Sequence, residues 1–308
     1  GKYYVPQRAA AGLDPWATPQ AYDNAKDFFD TGITWSNSLN VAQMLDKSSY
    51  SISLGNTHQD GIISSTGMDR YNVKVSADTK LTNNWSSGFT ANYITTSIDK
   101  AVTSGNGLLR TVYAAPPSYD LAGIPSHVDG NPYTQNSFRG SFDNAYWAME
   151  NNKFTEDTNR FFGNVYASYQ TDFGTTNHKL NAKYMVGVDA YTTHYVDSYG
   201  YGSNTGGGRG QIENYGWTNA TYNSLLTINY DWRINEDWGL NAVLGNEIIQ
   251  SNRKKYYEYG TNYNFPGWNH INNATTQQTE EETWKNRTVG FFGNVSASYK
   301  NMLYLTLT

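Results

Sequence analysis

Side chains that could do chemistry are few in this sequence, and their spacing gathers none of them into a reactive set. His58, His127, His178, His194 and His270 are spread over the chain, and no two share the spacing by which a pair of histidines holds a metal. Glu280-Glu281-Glu282 is a run of like charge, the pattern of a solvated face rather than of a catalytic carboxylate pair. Asp129-Gly130-Asn131 falls far short of the ligand series of a calcium loop. Gly206-Gly207-Gly208-Arg209-Gly210 reads as a loop tip, because a phosphate cradle needs a strand before it and a helix after it. No nucleophile, base and orienting partner can be nominated from the spacings. The sequence therefore predicts no enzyme, no catalytic residue, no metal site and no cofactor.

Binding chemistry is better supplied. The chain has 26 Tyr and 9 Trp, and many of them fall in long links between predicted strands. Tyr113, Tyr119, Tyr133, Tyr146 and Trp147 lie in one link, Tyr199, Tyr201 and Trp217 in the next, and Tyr256, Tyr257, Tyr259, Tyr263, Trp268 and Asn269 in the last. Flat rings suit the C–H faces of sugars, and amides suit hydroxyls or peptide groups. The candidate substrate-binding or partner-contacting residues are Trp147, Tyr146, Tyr201, Tyr263, Trp268 and Asn269, with an oligosaccharide or peptide as solute.

Those rings need a scaffold, and composition narrows it. The 308 residues are polar on average, with no apolar run near the roughly 20 residues of a spanning helix. Only 16% are charged while 15% are aromatic, unlike a disordered chain. The formal net charge of -5 offers no basic stripe for a phosphate backbone, so no nucleic acid partner is expected. There is no cysteine.

Period-two alternation then marks strands. Tyr50, Ile52 and Leu54 oppose Ser51 and Ser53; Tyr71, Val73 and Val75 oppose Asn72 and Lys74; Tyr184, Val186 and Val188 oppose Lys183, Met185 and Gly187. Phe161 to Tyr169 returns as Phe291 to Tyr299 with a single difference. About ten strands are predicted, at 34–45, 49–57, 68–80, 85–95, 156–171, 177–190, 219–233, 238–250, 286–300 and 302–308. Short polar turns alternate strictly with long links at about 56–67, 96–154, 191–218 and 251–285. That is the form of an outer-membrane β-barrel, with short periplasmic turns and long extracellular loops. Trp85, Phe173, Trp232, Trp238, Tyr299 and Tyr304 lie beside the short turns as an interfacial girdle against outer-membrane lipid. The alternation also predicts that Val186→Arg impairs assembly while Asn181→Arg is tolerated. The other reading of the composition is a soluble or surface-attached β-rich glycan-binding protein.

The order of motifs adds a resemblance. Phe29 and Gly32, Tyr50 and Ser53, Gly61-Ile62, then Arg70 and Asn72 follow one another within Tyr22 to Ser97, and "NRFFGNVYASY" and "RTVGFFGNVSASY" come later. In these the chain resembles the SusC-like (RagA-like) TonB-dependent outer-membrane transporters of Bacteroidetes. The resemblance implies an all-β, antiparallel transmembrane barrel, here about ten strands of a 22-stranded one. It implies import of a glycan oligomer or peptide across the bacterial outer membrane by a multi-pass protein. It further implies a SusD-like surface lipoprotein as partner and coupling to TonB through a plug. No segment here matches the plug or the barrel-closing strand, so 1–308 is expected to be part of the barrel domain, with plug and barrel C-terminus elsewhere.

Overall fold

A computed structural model describes residues 1–102 and 107–308. Short pieces come first: β1 (Tyr3–Tyr4), α1 (Pro6–Ala10), β2 (Trp16–Ala17) and α2 (Asn24–Phe28). Four strands follow, β3 (Thr34–Met44), β4 (Ser48–Asp60), β5 (Gly67–Lys80) and β6 (Trp85–Asp99). A long link carries α3 (Leu108–Ala114), the small hairpin β7 (His127–Val128) and β8 (Asn131–Gln135), and α4 (Ala145–Asn151). The remaining strands are β9 (Lys153–Thr171), β10 (His178–Tyr199), β11 (Gln211–Arg233), β12 (Trp238–Tyr263), β13 (Ala274–Tyr299) and β14 (Leu303–Leu307).

Ten strands make one open antiparallel sheet, in the order β14-β13-β12-β11-β10-β9-β6-β5-β4-β3. These are the ten predicted strands. No described helix is long and apolar enough to cross a membrane. The connections 45–47, 81–84, 172–177, 234–237 and 300–302 all lie at one end of the sheet. Side chains build these turns locally. Asn235 Oδ1 accepts the Asp237 and Trp238 N–H groups at 3.0 and 2.9 Å. Thr82 Oγ1 does the same for Asn84 and Trp85 at 3.2 and 3.0 Å.

At the opposite end two expected links are mostly strand. The predicted loops 191–218 and 251–285 shrink to 200–210 and 264–273, because β10 to β13 run on through Tyr199, Gln211, Tyr263 and Ala274. Higher up, both faces turn polar, so the apolar alternation that marks a strand fades. The ladder continues without it: Tyr195 pairs with Tyr215, and Tyr215 with Tyr257. At 26 residues, β12 is about 86 Å long at ~3.3 Å per residue. The expected 96–154 link includes 103–106, which lie outside the described residues, and its described part holds helices and a hairpin.

Directly paired residues share a face, so the register assigns one side of the sheet across all ten strands. Leu54 pairs with Leu39 and Val73, Val73 with Tyr93, and Tyr93 with Phe161. Tyr184 pairs with Ala167 and Leu226, Ile228 with Leu244, Ala242 with Val295, and Val295 with Leu307. In the stretch nearest the short turns this belt face carries no Asp, Glu, Lys or Arg. Its polar groups are satisfied within the sheet: Asn246 Nδ2 donates to Gly290 O at 3.0 Å.

Trp85 on Tyr169 (5.0 Å) and Trp238 on Tyr299 (4.7 Å) edge the belt beside the short turns. The repeated segments thus end in the same place, a Tyr ring against the Trp that starts a neighbouring strand. One expected girdle member is misplaced. Tyr304 pairs with Ser298 and so lies on the polar face, one residue out of phase with Leu303 and Leu305. The motif around Gly32 is a junction: Asp30 N–H donates to Ile62 O at 2.9 Å, and a Cβ on Gly32 would sit 2.8 Å from Asp60 O.

Candidate functional site

Two surfaces at the long-loop end carry the candidate chemistry. The first is a cap of loops. Its core joins Val5 and Phe28 to Leu108, Val112, Leu121, Ile124 and Trp147, so the N-terminal pieces, given no role by the sequence pattern, close over the link that contains α3 and α4. The loops are tied together by one carboxylate. Asp143 accepts from Gln135 Nε2 (2.8 Å), Ser203 Oγ (2.5 Å) and Asn204 N–H (2.8 Å). Gly202 must be glycine here, with φ +101 and a Cβ position 2.4 Å from Tyr133 O.

All six predicted residues fall in this cap or its rim, but in different roles. Trp147 is fully buried, and its Nε1 donates to Pro132 O at 2.8 Å. Tyr263 is equally buried against Ile212 and Ala274, and its hydroxyl meets Ser198 Oγ at 3.3 Å. Burial pushes its phenol pKa up to about 12. Tyr146 packs edge-on to Phe28, and Tyr201 packs beside Tyr263. Asn269 Nδ2 donates to Asn151 O at 2.8 Å, fastening the 264–273 loop to the end of α4. Trp268 differs: it is 44% exposed and stacks on His270 at 4.9 Å.

The second surface is the polar face of β9 to β13 above the belt. Tyr195 and Tyr215 stack with centroids 4.8 Å apart and planes 7° apart, Trp217 lies 5.6 Å from Tyr195, and Tyr257 continues the row. Charges of both signs frame the rings. Lys100 Nζ sits 4.6 Å over Tyr195, and Arg253 lies between Trp217 and Trp284 at 5.3 and 5.5 Å. Tyr215 O–H donates to Asp197 at 3.0 Å. Asp197 and Glu213 are directly opposed across β10 and β11. Burial, then the neighbouring Asp197, raises the Glu213 pKa.

Tyr195, Tyr215 and Trp284 were missed by the sequence pattern. Their signal was a second alternation, Tyr215 with Trp217 and Tyr257 with Tyr259, read as loop because no apolar face opposed it. The histidines are dispersed, as their spacing suggested: His58 faces Asp60 and Asp69, His178 bonds Tyr230, and His194 bonds Tyr256. Among the described residues no group of three His, Cys, Asp or Glu is placed to hold a metal.

The fold defines a class before any comparison does: a ten-stranded antiparallel barrel wall with short turns at one end and tall strands under a loop cap at the other. Solved structures agree. The chain is similar to a chain of the RagAB peptide importer in its closed-closed state, with a TM-score of 0.75 and 16% identity over 94% of this chain and 33% of that one. A second RagAB peptide transporter structure matches with a TM-score of 0.75 at 14% identity, covering 93% of this chain and 32% of that one. The open-open state of the importer matches at 0.70 and 13% identity, over 94% of this chain and 33% of that one. The fold is that of RagA-like outer-membrane β-barrel transporters, the resemblance the motif order carried. The chain spans about a third of the length of these solved chains. No protein-family model matches the sequence, and no curated protein matches it.

Proposed function

We propose that the chain is part of the barrel of a SusC-like, TonB-dependent importer in the bacterial outer membrane, and that the parent protein takes up a glycan oligomer or a peptide. The observation that carries this is the uncharged belt. Leu244 is 61% exposed, Val165 53% and Phe291 82%, all on one face of the sheet. In water so continuous an apolar surface is a liability; in lipid it is the wall. The likeness to the RagAB importer supports transport as the use of that wall.

In this reading the aromatic row on the polar face lines the path of the solute, and Tyr195, Tyr215 and Trp217 offer it flat faces. The cap, with Trp268 and Tyr201 at its rim, meets a SusD-like surface lipoprotein. Coupling to TonB runs through a plug outside these 308 residues. The protein has no catalytic task. The competing reading, a soluble glycan-binding β protein, does not account for the belt.

Fractionation of the full-length protein separates the two. The barrel reading expects recovery in the outer membrane, extraction only by detergent and heat-modifiable migration; a freely soluble parent protein overturns it. Growth on defined peptides or oligosaccharides, with and without Tyr215→Ala, then assigns the solute.

A further inference from the structure

The belt face has a chemical asymmetry that lipid tails do not explain. By register its only Lys and Arg residues among the described strands are Lys153, Lys254, Lys285 and Arg287, and three of the four are grouped on β12 and β13. They lie immediately above the apolar stretch. Ile248 pairs with Val289, the last apolar pair; Gln250 then pairs with Arg287, Asn252 with Lys285, and Lys254 with Thr283. Arg287 and Lys285 are two residues apart, about 7 Å, and Lys254 is diagonal to Lys285 at about 7–8 Å. All three are exposed.

The other groups facing this patch are amides, small side chains and one carboxylate. Gln250 Oε1 accepts from Arg287 Nε at 2.9 Å and also from its Nη2, which steadies the guanidinium on the belt face. The one nearby carboxylate, Glu281, pairs with Lys254 at 2.8 Å from the side away from the belt. Neighbouring β11 presents Thr218 and Ala220 there, without charge. The first half of the sheet carries Asp60, Asp69 and Asp157 on the belt face, with His58 against the first two.

We propose that Lys254, Lys285 and Arg287 form a docking site for the phosphate of an outer-leaflet glycolipid headgroup, whose acyl chains lie on the belt below. Basic residues just beyond a hydrocarbon-facing surface recognise anionic headgroups by charge, and arginine adds a fork that matches phosphate oxygens. Continuity with the belt commits the site to a lipid: a free phosphate has no use for Ile248 and Val289. The inference rests on the membrane reading given above.

The test uses the full-length protein, extracted in detergent from outer membranes, with bound lipid read by native mass spectrometry. Diphosphoryl lipid A and its dephosphorylated form are the probes. Wild-type protein should retain the phosphorylated lipid in preference. K254Q/K285Q/R287Q should weaken retention about a hundredfold, roughly fivefold per cation, while K153Q should change nothing. Millimolar inorganic phosphate should not displace the lipid; displacement would mean a soluble-phosphate site and overturn the proposal. Heat-modifiable migration of each variant reports the barrel separately. A folded barrel whose lipid retention is unchanged sinks the patch alone, whereas a protein without barrel behaviour sinks the membrane reading. If the triple variant fails to assemble, R287Q and K285Q singly carry the same comparison.

Discussion

Leu244→Arg tests the face assignment at the depth where it matters most. Leu244 is 61% exposed on the belt face and six residues along β12 from Trp238, which edges the belt. Six steps of ~3.3 Å along a strand tilted by about 40° rise about 15 Å, close to the middle of an apolar band about 25 Å tall. Arginine there is expected to cost about 2–4 kcal/mol. Val243→Arg is the control, at the same depth but on the polar face, where its partners are Asn229 and Asn294. The assay is denaturant unfolding of the full-length protein in lipid vesicles, read by heat-modifiable migration. Leu244→Arg should shift the equilibrium by about thirtyfold to several hundredfold, and Val243→Arg by much less. Equal effects would refute the register. The same geometry tempers the expectation for Val186→Arg: Val186 is eight residues from His178, about 20 Å up, where the cost falls towards about 1 kcal/mol.

Three further outcomes follow from the site. Trp147→Ala should loosen the cap by about 3–5 kcal/mol without unfolding the barrel, seen as new protease cleavage within 107–152 in intact cells; unchanged protection would remove Trp147 from its structural role. Glu213 has a raised pKa in the folded protein, so the stability linked to its neutral form is fully present below the ordinary glutamate value and is lost as pH rises through the raised one. Glu213→Gln should therefore flatten the unfolding midpoint against pH in that window, and an identical profile would refute the burial argument. Replacing 264–273 by a short turn should leave the barrel inserted but reduce nutrient uptake or co-purification of the lipoprotein; if both persist, the loop has no recognition role.

Much of the architecture was legible because the apolar belt on one face imposes contrast with the polar face behind it. Where Tyr184, Val186 and Val188 alternate with Lys183, Met185 and Gly187, the two environments write themselves into the sequence. Above the belt that contrast vanishes, and the strands that carry Tyr195, Tyr215 and Tyr257 run on without an apolar face to mark them, so they looked like loops. The segment 1–29 was opaque for another reason. Val5 and Phe28 are buried against the distant link that carries Leu108 to Trp147, and the five-residue helices beside them carry too little periodicity to announce themselves. Trp147 and Tyr263 were picked out as flat rings in the long links; both rings are spent inside the cap, whereas Trp268 keeps part of its ring in the open.

The way the cap is stitched bears on the order in which the protein is built. Sheet strands mostly meet sequence neighbours, so each hairpin can register as soon as its second strand exists. The cap has no such local route. Asn136 Nδ2 reaches Gln7 O across 129 positions, Asn269 reaches Asn151 O across 118, and Asp143 holds Asn204 from 61 away. These contacts become available only once the strands between them are aligned, which makes cap closure a late, long-range event in assembly. A wall with one hairpin out of register would leave the cap's segments at the wrong heights to meet, and its exposed apolar core would mark the misassembled molecule for proteolysis.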